Sequence, residues 1–222
     1  MLKIEKTVTM SPEQWEIVIE GMRNPKNSWD RMDSYMTYVV DSETGREAPS
    51  EFFVGPNDQK LMMELVKGGP VHAKFRRMMP VWFTISASLF WWKEFDTYKV
   101  GTVRNSCSTM HKIHVAPFTI DNFSHEGCDE VPEAKAQLLS TIETLEALRQ
   151  LFNETHEYAY WRSMIEMLPD GYIMKATIML TYENLVGMYE WRRNHKQFEW
   201  HIFCDWIESL PYSELITGEV KK

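Results

Sequence analysis

Cysteine is scarce in this chain of 222 residues: Cys107, Cys128 and Cys204 are the only three, and none belongs to a CxxC pair. An odd, sparse set argues against a disulfide framework and fits a reducing compartment. Metal-ligand spacing is equally thin. His125 and Cys128 stand three apart, as do His111 and His114, but no second pair completes a four-ligand set, so no metal site is expected. Long apolar runs are missing as well. The longest, Met78 to Trp92, is broken by Pro80, Thr84 and Ser86 and is too short to span a bilayer. The N-terminal stretch MLKIEKTVTMSPEQW has no apolar centre of signal-peptide type. The expectation is a cytoplasmic protein without membrane attachment.

Positive charge is also in deficit. A formal net charge of −8 disfavours a nucleic-acid binder, whose phosphate contacts need surplus lysine and arginine. A small anionic ligand is still accommodated, because three local basic clusters stand out: Lys74-Phe75-Arg76-Arg77, the segment Lys99 to Lys112, and Arg192-Arg193-Asn194-His195-Lys196. No GxGxxG or GxxxxGK[ST] occurs, so dinucleotide-fold and phosphate-loop readings lack support. Repeats and low-complexity segments are absent too.

What is present reads as a helix-rich α+β chain with a few strands, of a length suited to one substantial domain, residues 1 to 222. Ser11, Pro12 and Gln14 form an N-cap, a first-turn proline and a capping box ahead of the stripe Trp15, Ile17, Val18, Met22. Residues 41 to 51 read as a loop. Asn57-Asp58 opens a second helix, stopped by Gly68-Gly69-Pro70. Val71 to Trp92 is rich in β-branched and aromatic residues, and within it PVWFTISASLFWW (80 to 92) is a buried strand or a buried helix; periodicity leaves both open, and Pro80 suits the first residue of a strand. Leu138, Leu139, Ile142, Leu145, Leu148 and Leu151 recur at helical spacing. A further helix follows through HEYAYWRSMIEML to Pro169-Asp170-Gly171, and the C-terminal third is mostly helical. The fifteen methionines serve as core filler.

Two segments invite a chemical reading. Phe95 to His114 leaves an aromatic run and gathers Thr97, Thr102, Ser106, Cys107, Ser108 and Thr109 around Gly101, with Lys99, Arg104 and Lys112 interleaved. Such a segment is either a polar turn capping its neighbours or a cradle in which hydroxyls and amides meet an anion. Cys107 with His111 four residues on would be a nucleophile and base only if folding brings them together. The cluster from Arg192 to Lys196 is either a solvated face between core aromatics Tyr189, Trp191, Phe198 and Trp200, or a phosphate or carboxylate pocket.

Several stretches in order resemble the flavin-dependent thymidylate synthases (ThyX). They are Gly-Gly-Pro-Val-His-Ala-Lys-Phe, an aromatic segment leading to Glu94-Phe95-Asp96-Thr97-Tyr98, Asn105-Ser106-Cys107-Ser108-Thr109-Met110-His111-Lys112, and Met188-Tyr189-Glu190-Trp191-Arg192-Arg193-Asn194-His195-Lys196. The resemblance covers roughly residues 57 to 210. It implies a ThyX-like fold with a small antiparallel or mixed sheet, assembled as a homotetramer. It also implies FAD as cofactor, dUMP as nucleotide, and methylenetetrahydrofolate and NADPH as co-substrates, with flavin passing hydride to the nucleotide. The family signature RHRxxSxNExSxRY is rewritten here. Thr97-Tyr98-Lys99 stands in place of Arg-His-Arg, Asn105-Ser106-Cys107-Ser108 in place of NExS after one insertion, and Met110-His111 in place of the final Arg-Tyr. No arginine stands in register before the Leu168-Pro169 turn; Arg162 lies about a turn earlier.

Carried over residue by residue, the resemblance puts Ser108 at the reacting pyrimidine or its phosphate. Lys99, Arg104, Asn105, Ser106, Ser108, Lys112 and Arg192 become nucleotide contacts, and His72, Glu94, Thr97, Tyr98 and His195 flavin contacts. The leading reading is flavin-dependent methylation of a pyrimidine deoxynucleotide, most simply dUMP to dTMP. Alternatives are one-carbon modification of another pyrimidine nucleotide, a ThyX-fold protein that has lost catalysis and binds a nucleotide or serves assembly, and a DNA-binding regulator.

Overall fold

The computed structural model describes residues 2 to 218. In chain order the elements are β1 (Lys3–Val8), α1 (Pro12–Arg23), β2 (Tyr35–Val40), β3 (Glu47–Phe53), α2 (Pro56–Lys67), β4 (Pro80–Ser88), α3 (Leu89–Phe95), β5 (Val103–Ser106), α4 (Glu126–Asp129), α5 (Pro132–Thr155), α6 (Tyr158–Met167), β6 (Ile173–Thr181), α7 (Tyr182–Arg192), α8 (Phe198–Ser209) and α9 (Glu214–Thr217). The protein is helix-rich α+β with small antiparallel sheets. One sheet has the strand order β1-β4-β6-β5, and β2 and β3 form a two-stranded sheet. No helix among the described residues is long and apolar enough to cross a membrane.

The chain divides into two compact units. The first comprises the residues up to Glu5, Thr84–Lys99 and Arg104–Ile178. Its apolar centre is built by Ile113, Phe118, Phe123, Ile142, Leu145 and Met164, with α5 and α6 packed side by side. The turn between these helices is made by His156 at φ +57°. The expected α5 stripe is realised at Ile142 and Leu145, whereas Leu139 and Leu151 are exposed. The aromatic run before the polar segment is the short helix α3. Trp91, Trp92 and Phe95 are all buried, and Trp92 Nε1 donates to the carbonyls of Ala87 and Met174, both at 3.1 Å.

The second unit comprises Lys6–Phe83, Val100–Val103 and the residues from Met179 on. Here α1 starts as its sequence signals require: Ser11 N–H donates to Gln14 Oε1 at 2.9 Å, and Gln14 N–H to Ser11 Oγ at 3.4 Å. Trp15 stacks on Phe52 and meets Tyr212 edge-on. Leu185, Met188, Trp200, Phe203, Cys204, Ile207 and Leu215 are fully buried between α7, α8 and α9. Burial pushes the Cys204 thiol up to about 11, so it packs as an apolar group.

Three expectations need correction. The segment 41 to 51 is not all loop, because Glu47–Phe53 pairs antiparallel with Tyr35–Val40. EAPSEFF has little strand propensity of its own, and Pro49 belongs where a backbone donor is dispensable; the partner strand supplies the order. The segment 80 to 92 is neither one strand nor one helix: β4 runs from Pro80 through Ser88 and α3 begins at Leu89. Trp191 and Phe198, expected in the core, are 72% and 60% exposed.

Candidate functional site

The polar segment after α3 is built entirely at the surface of its elements. Glu94 lies in the last turn of α3, and its carbonyl accepts from Thr97 Oγ1 at 2.7 Å, which closes the tight turn Asp96–Tyr98. Lys99 follows and is exposed. At Gly101 the chain adopts φ +77°, a left-handed conformation that favours glycine. A Cβ there would stand 3.1 Å from Asn184 Nδ2, the group that donates to the Val100 carbonyl at 2.7 Å.

Arg104, Asn105 and Ser106 form most of the edge strand β5 and are exposed. Cys107 N–H continues the strand's pairing by donating to the Lys175 carbonyl at 2.9 Å. Ser108 is exposed, and its hydroxyl oxygen accepts the Met110 N–H at 3.4 Å. The end of the segment is anchored on α6: Trp161 Nε1 donates to the Met110 carbonyl at 3.1 Å, and the His111 and Trp161 rings stack. Ile113 then enters the apolar centre. Lys112, between these anchors, is exposed. Thus Lys99, Arg104, Asn105, Ser106, Ser108 and Lys112 lie on one short, pinned stretch in which hydroxyls, an amide and cations face solvent.

Their electrostatics are uneven. Arg104 Nη1 pairs with Asp96 Oδ1 at 2.7 Å, and its guanidinium lies 5.1 Å above the Trp92 ring. The carboxylate offsets the guanidinium charge and the indole fixes its plane. Sequence reasoning missed Asp96, Trp92 and Trp161 as the partners of this stretch. Only the nearness of Asp96 to Arg104 along the chain hinted at one of them.

Arg192, His195 and His72 belong to the other unit. Arg192 ends α7, with its guanidinium 4.8 Å from the Trp200 ring centroid. His195 sits in the turn between α7 and α8, where its Nδ1 accepts the Gln197 N–H at 3.2 Å, so the neutral ring carries its proton on Nε2. Its carbonyl is 2.7 Å from His201 Nε2. Arg193, the next cation, is taken up structurally by Asp205 at 2.7 Å and Glu208 at 3.1 Å. His72 is exposed just after α2, its ring beside Gly68. Of the basic cluster at 74 to 77, Arg76 is buried, pairing with Glu183 at 2.8 Å and donating to the Leu215 carbonyl at 3.1 Å. It is a structural cation.

The residues assigned to a flavin fit it by hydrogen-bonding sense and not by charge. The Thr97 hydroxyl already donates to the Glu94 carbonyl, so its oxygen keeps acceptor capacity, which suits a ribityl hydroxyl or a ring N–H. A pyrophosphate accepts only, and the flavin contacts that the resemblance implies include no lysine or arginine to meet it. Among the described residues no group of three His, Cys, Asp or Glu side chains could hold a metal ion.

No family model matches the chain, and no curated protein matches it either. Solved structures do. Thymidylate synthase X (ThyX) from Helicobacter pylori, with FAD and dUMP, superposes with a TM-score of 0.64 over 98% of this chain and 97% of that one, at 13% identity. A second structure of that enzyme with FAD and dUMP gives 0.61 over 99% of both chains, again at 13% identity. The UMP/dUMP methylase PolB from Streptomyces cacaoi, bound with 5-Br dUMP, gives 0.62 over 98% and 94%, at 12% identity. The chain has the ThyX fold. The likeness runs nearly end to end, well beyond the stretch from 57 to 210 in which the residues themselves resemble the family.

Proposed function

We propose that this ThyX-fold protein binds a pyrimidine deoxynucleotide and methylates it with a flavin, most simply converting dUMP to dTMP with methylenetetrahydrofolate as carbon donor and NADPH as reductant. The observation that carries the reading is the nearly complete likeness of the fold to proteins solved with dUMP or a dUMP analogue. The surface stretch holding Asn105 and Ser108, retained from the family signature, supports it. FAD supplies the hydride chemistry when bound. Ser108 contacts the pyrimidine or its phosphate through a single hydroxyl. Lys99, Lys112 and Arg192 offset the phosphate charge, Arg104 adds less because Asp96 shares it, and Asn105 and Ser106 add neutral hydrogen bonds. His72, Glu94, Thr97, Tyr98 and His195 hold the flavin, and the protein assembles as a homotetramer. The same site chemistry serves one-carbon modification of another pyrimidine nucleotide.

The neutralised Arg104 favours a second reading, a nucleotide-binding or assembly protein of this fold without catalysis. A spectrum of the purified protein distinguishes them. Bound flavin together with retention of dUMP supports the enzyme, and a colourless protein that FAD cannot reconstitute refutes it. Ser108→Ala and Arg192→Ala should each weaken dUMP binding about tenfold, the loss of one hydrogen bond to a charged group, without unfolding the chain. Unchanged affinity in both variants would overturn the residue assignment.

A further inference from the structure

Within the second unit, the end of α1, the chain that follows it and α2 from Asn57 to Glu64 line an open cavity of about 780 Å³. Four cations line it (Arg23, Lys26, Arg31 and Lys60) against two carboxylates, Asp30 and Glu64. Leu61 is its one large apolar side chain. With the buried Asp58 that pairs with Arg23 counted, four cations meet three carboxylates, a small surplus of positive charge in a protein of net charge −8.

Arg23 gives the cavity a built floor. It is 3% exposed, and its Nε donates to Asp58 Oδ1 at 2.5 Å while Nη1 donates to the Ser28 carbonyl and hydroxyl at 3.1 and 3.2 Å. Asp58 does not depend on Arg23 alone, because its other oxygen accepts from the Asp33 N–H, the Ser34 N–H and the Ser34 hydroxyl. No described residue accepts from Arg23 Nη2. The guanidinium is thus fixed in plane and position with donors left over, a preorganised arrangement for an acceptor-rich anion. Lys26, Arg31 and Lys60 are exposed around it. Among the described residues only Lys26 of these is paired to a lining carboxylate, loosely, at 3.9 Å from Glu64.

We infer that this cavity binds a polyphosphate chain, and the inference is independent of the function proposed above. One phosphate would sit on Arg23, and further phosphates would meet Lys60, Lys26 and Arg31. The volume is larger than one phosphate needs and falls in the range of ligand cavities, and the scarcity of apolar lining disfavours a hydrophobic ligand. The chain could be free or carried by a nucleoside.

The test is calorimetric titration of the full protein at low salt with inorganic tripolyphosphate and, in parallel, ATP without magnesium. Saturable 1:1 binding of tripolyphosphate is expected. Lys60→Glu and Arg31→Glu, both exposed and harmless to folding, should each weaken it about tenfold or more, as reversal of a charge beside a polyanion does. Lys67→Glu, on the same helix but outside the cavity, changes net charge equally and should leave binding intact. Tighter binding of ATP assigns the chain to a nucleoside polyphosphate, and equal binding assigns recognition to the phosphates alone. Absence of saturable binding by both probes overturns the inference, as does an equal loss in Lys67→Glu.

Discussion

Asp58→Ala should be among the most damaging single substitutions in this protein, and the structure sets the size of the effect. The carboxylate is fully buried and accepts four hydrogen bonds, from Arg23 Nε at 2.5 Å, Asp33 N at 3.0 Å, Ser34 N at 2.9 Å and Ser34 Oγ at 2.7 Å. Alanine leaves a buried guanidinium and three donors without their acceptor. Breaking a buried ion pair costs about 3–5 kcal/mol, and an orphaned donor about 1–3 kcal/mol. Water reaching Arg23 through the cavity relieves part of this, so the loss should be ~4 kcal/mol, or roughly 8–16 °C in Tm for a chain of this size. Asp58→Asn keeps one acceptor and should lose about half as much. The double variant Arg23→Met/Asp58→Leu should be less damaged than Asp58→Ala, because it leaves no buried charge. The pH dependence has a definite sign. Burial alone would push the Asp58 carboxyl up, but the Ser34 hydroxyl, the Asp33 and Ser34 amides and Arg23 hold it below the ordinary aspartate value. Its contribution is therefore complete above about pH 4, where the unfolded chain ionises, and fades as pH falls through the lower folded value. Thermal denaturation of wild type and Asp58→Asn across pH 3 to 8 should show their gap closing on the acid side. A gap that widens in acid, or an Asp58→Ala protein within about 1 kcal/mol of wild type at neutral pH, would refute the account.

Gly55→Ala should cost about 1–3 kcal/mol in urea denaturation, because its Cβ would collide with the carboxyl and carbonyl of Asp33. Asp33 is the group that caps α2 through the amides of Asn57 at 2.9 Å and Asp58 at 3.1 Å, so no loss would mean that this cap is dispensable. Gly101→Ala should cost about 1–2 kcal/mol from its left-handed backbone and its approach to Asn184, and an unchanged midpoint would count against the turn. Asp96→Asn releases Arg104 and, under the proposed function, should tighten dUMP binding threefold to tenfold, roughly 1 kcal/mol, with a steeper salt dependence. Unchanged affinity would place Arg104 outside the phosphate site.

Legibility in the sequence followed the range of each interaction. The start of α1 could be read from Ser11, Pro12 and Gln14 because its capping partners are three residues apart. The same holds for α5, whose buried Ile142 and Leu145 fall on its apolar repeat. By contrast the N-cap residue of α2 is Gly55, which has no side chain to cap with, and the helix takes its cap from Asp33, more than twenty residues upstream. Nothing local marks that partnership. The strand β3 was hidden for a related reason: Glu47, Pro49 and Ser50 do not favour a strand, and order comes from β2 across the hairpin. Trp191 and Phe198 misled in the opposite sense, since large aromatics predict burial whereas these two face solvent. At the candidate site, Asn105, Ser108 and the cations were visible as residues. Their state was not, because Asp96, Trp92 and Trp161 act on them through the fold.

The rewritten signature changes how such a site would hold a phosphate. Where the family pattern has arginines, this chain offers Thr97, Tyr98 and Lys99, and its nearby arginine is engaged by Asp96 and Trp92. A guanidinium binds phosphate through two parallel hydrogen bonds that also fix orientation, whereas a lysine ammonium is a mobile point charge. Affinity built on Lys99 and Lys112 is accordingly more sensitive to salt and fixes geometry less well. Orientation would then fall to neutral groups on rigid backbone. That is where Asn105 and Ser106 stand, in β5, with Ser108 just beyond the Cys107–Lys175 pairing and the Trp161 anchor at Met110. Under the proposed function, the pinning of this stretch from both ends would let single hydroxyl and amide contacts suffice. A mobile loop with the same residues would lose their ordering entropy on every binding event.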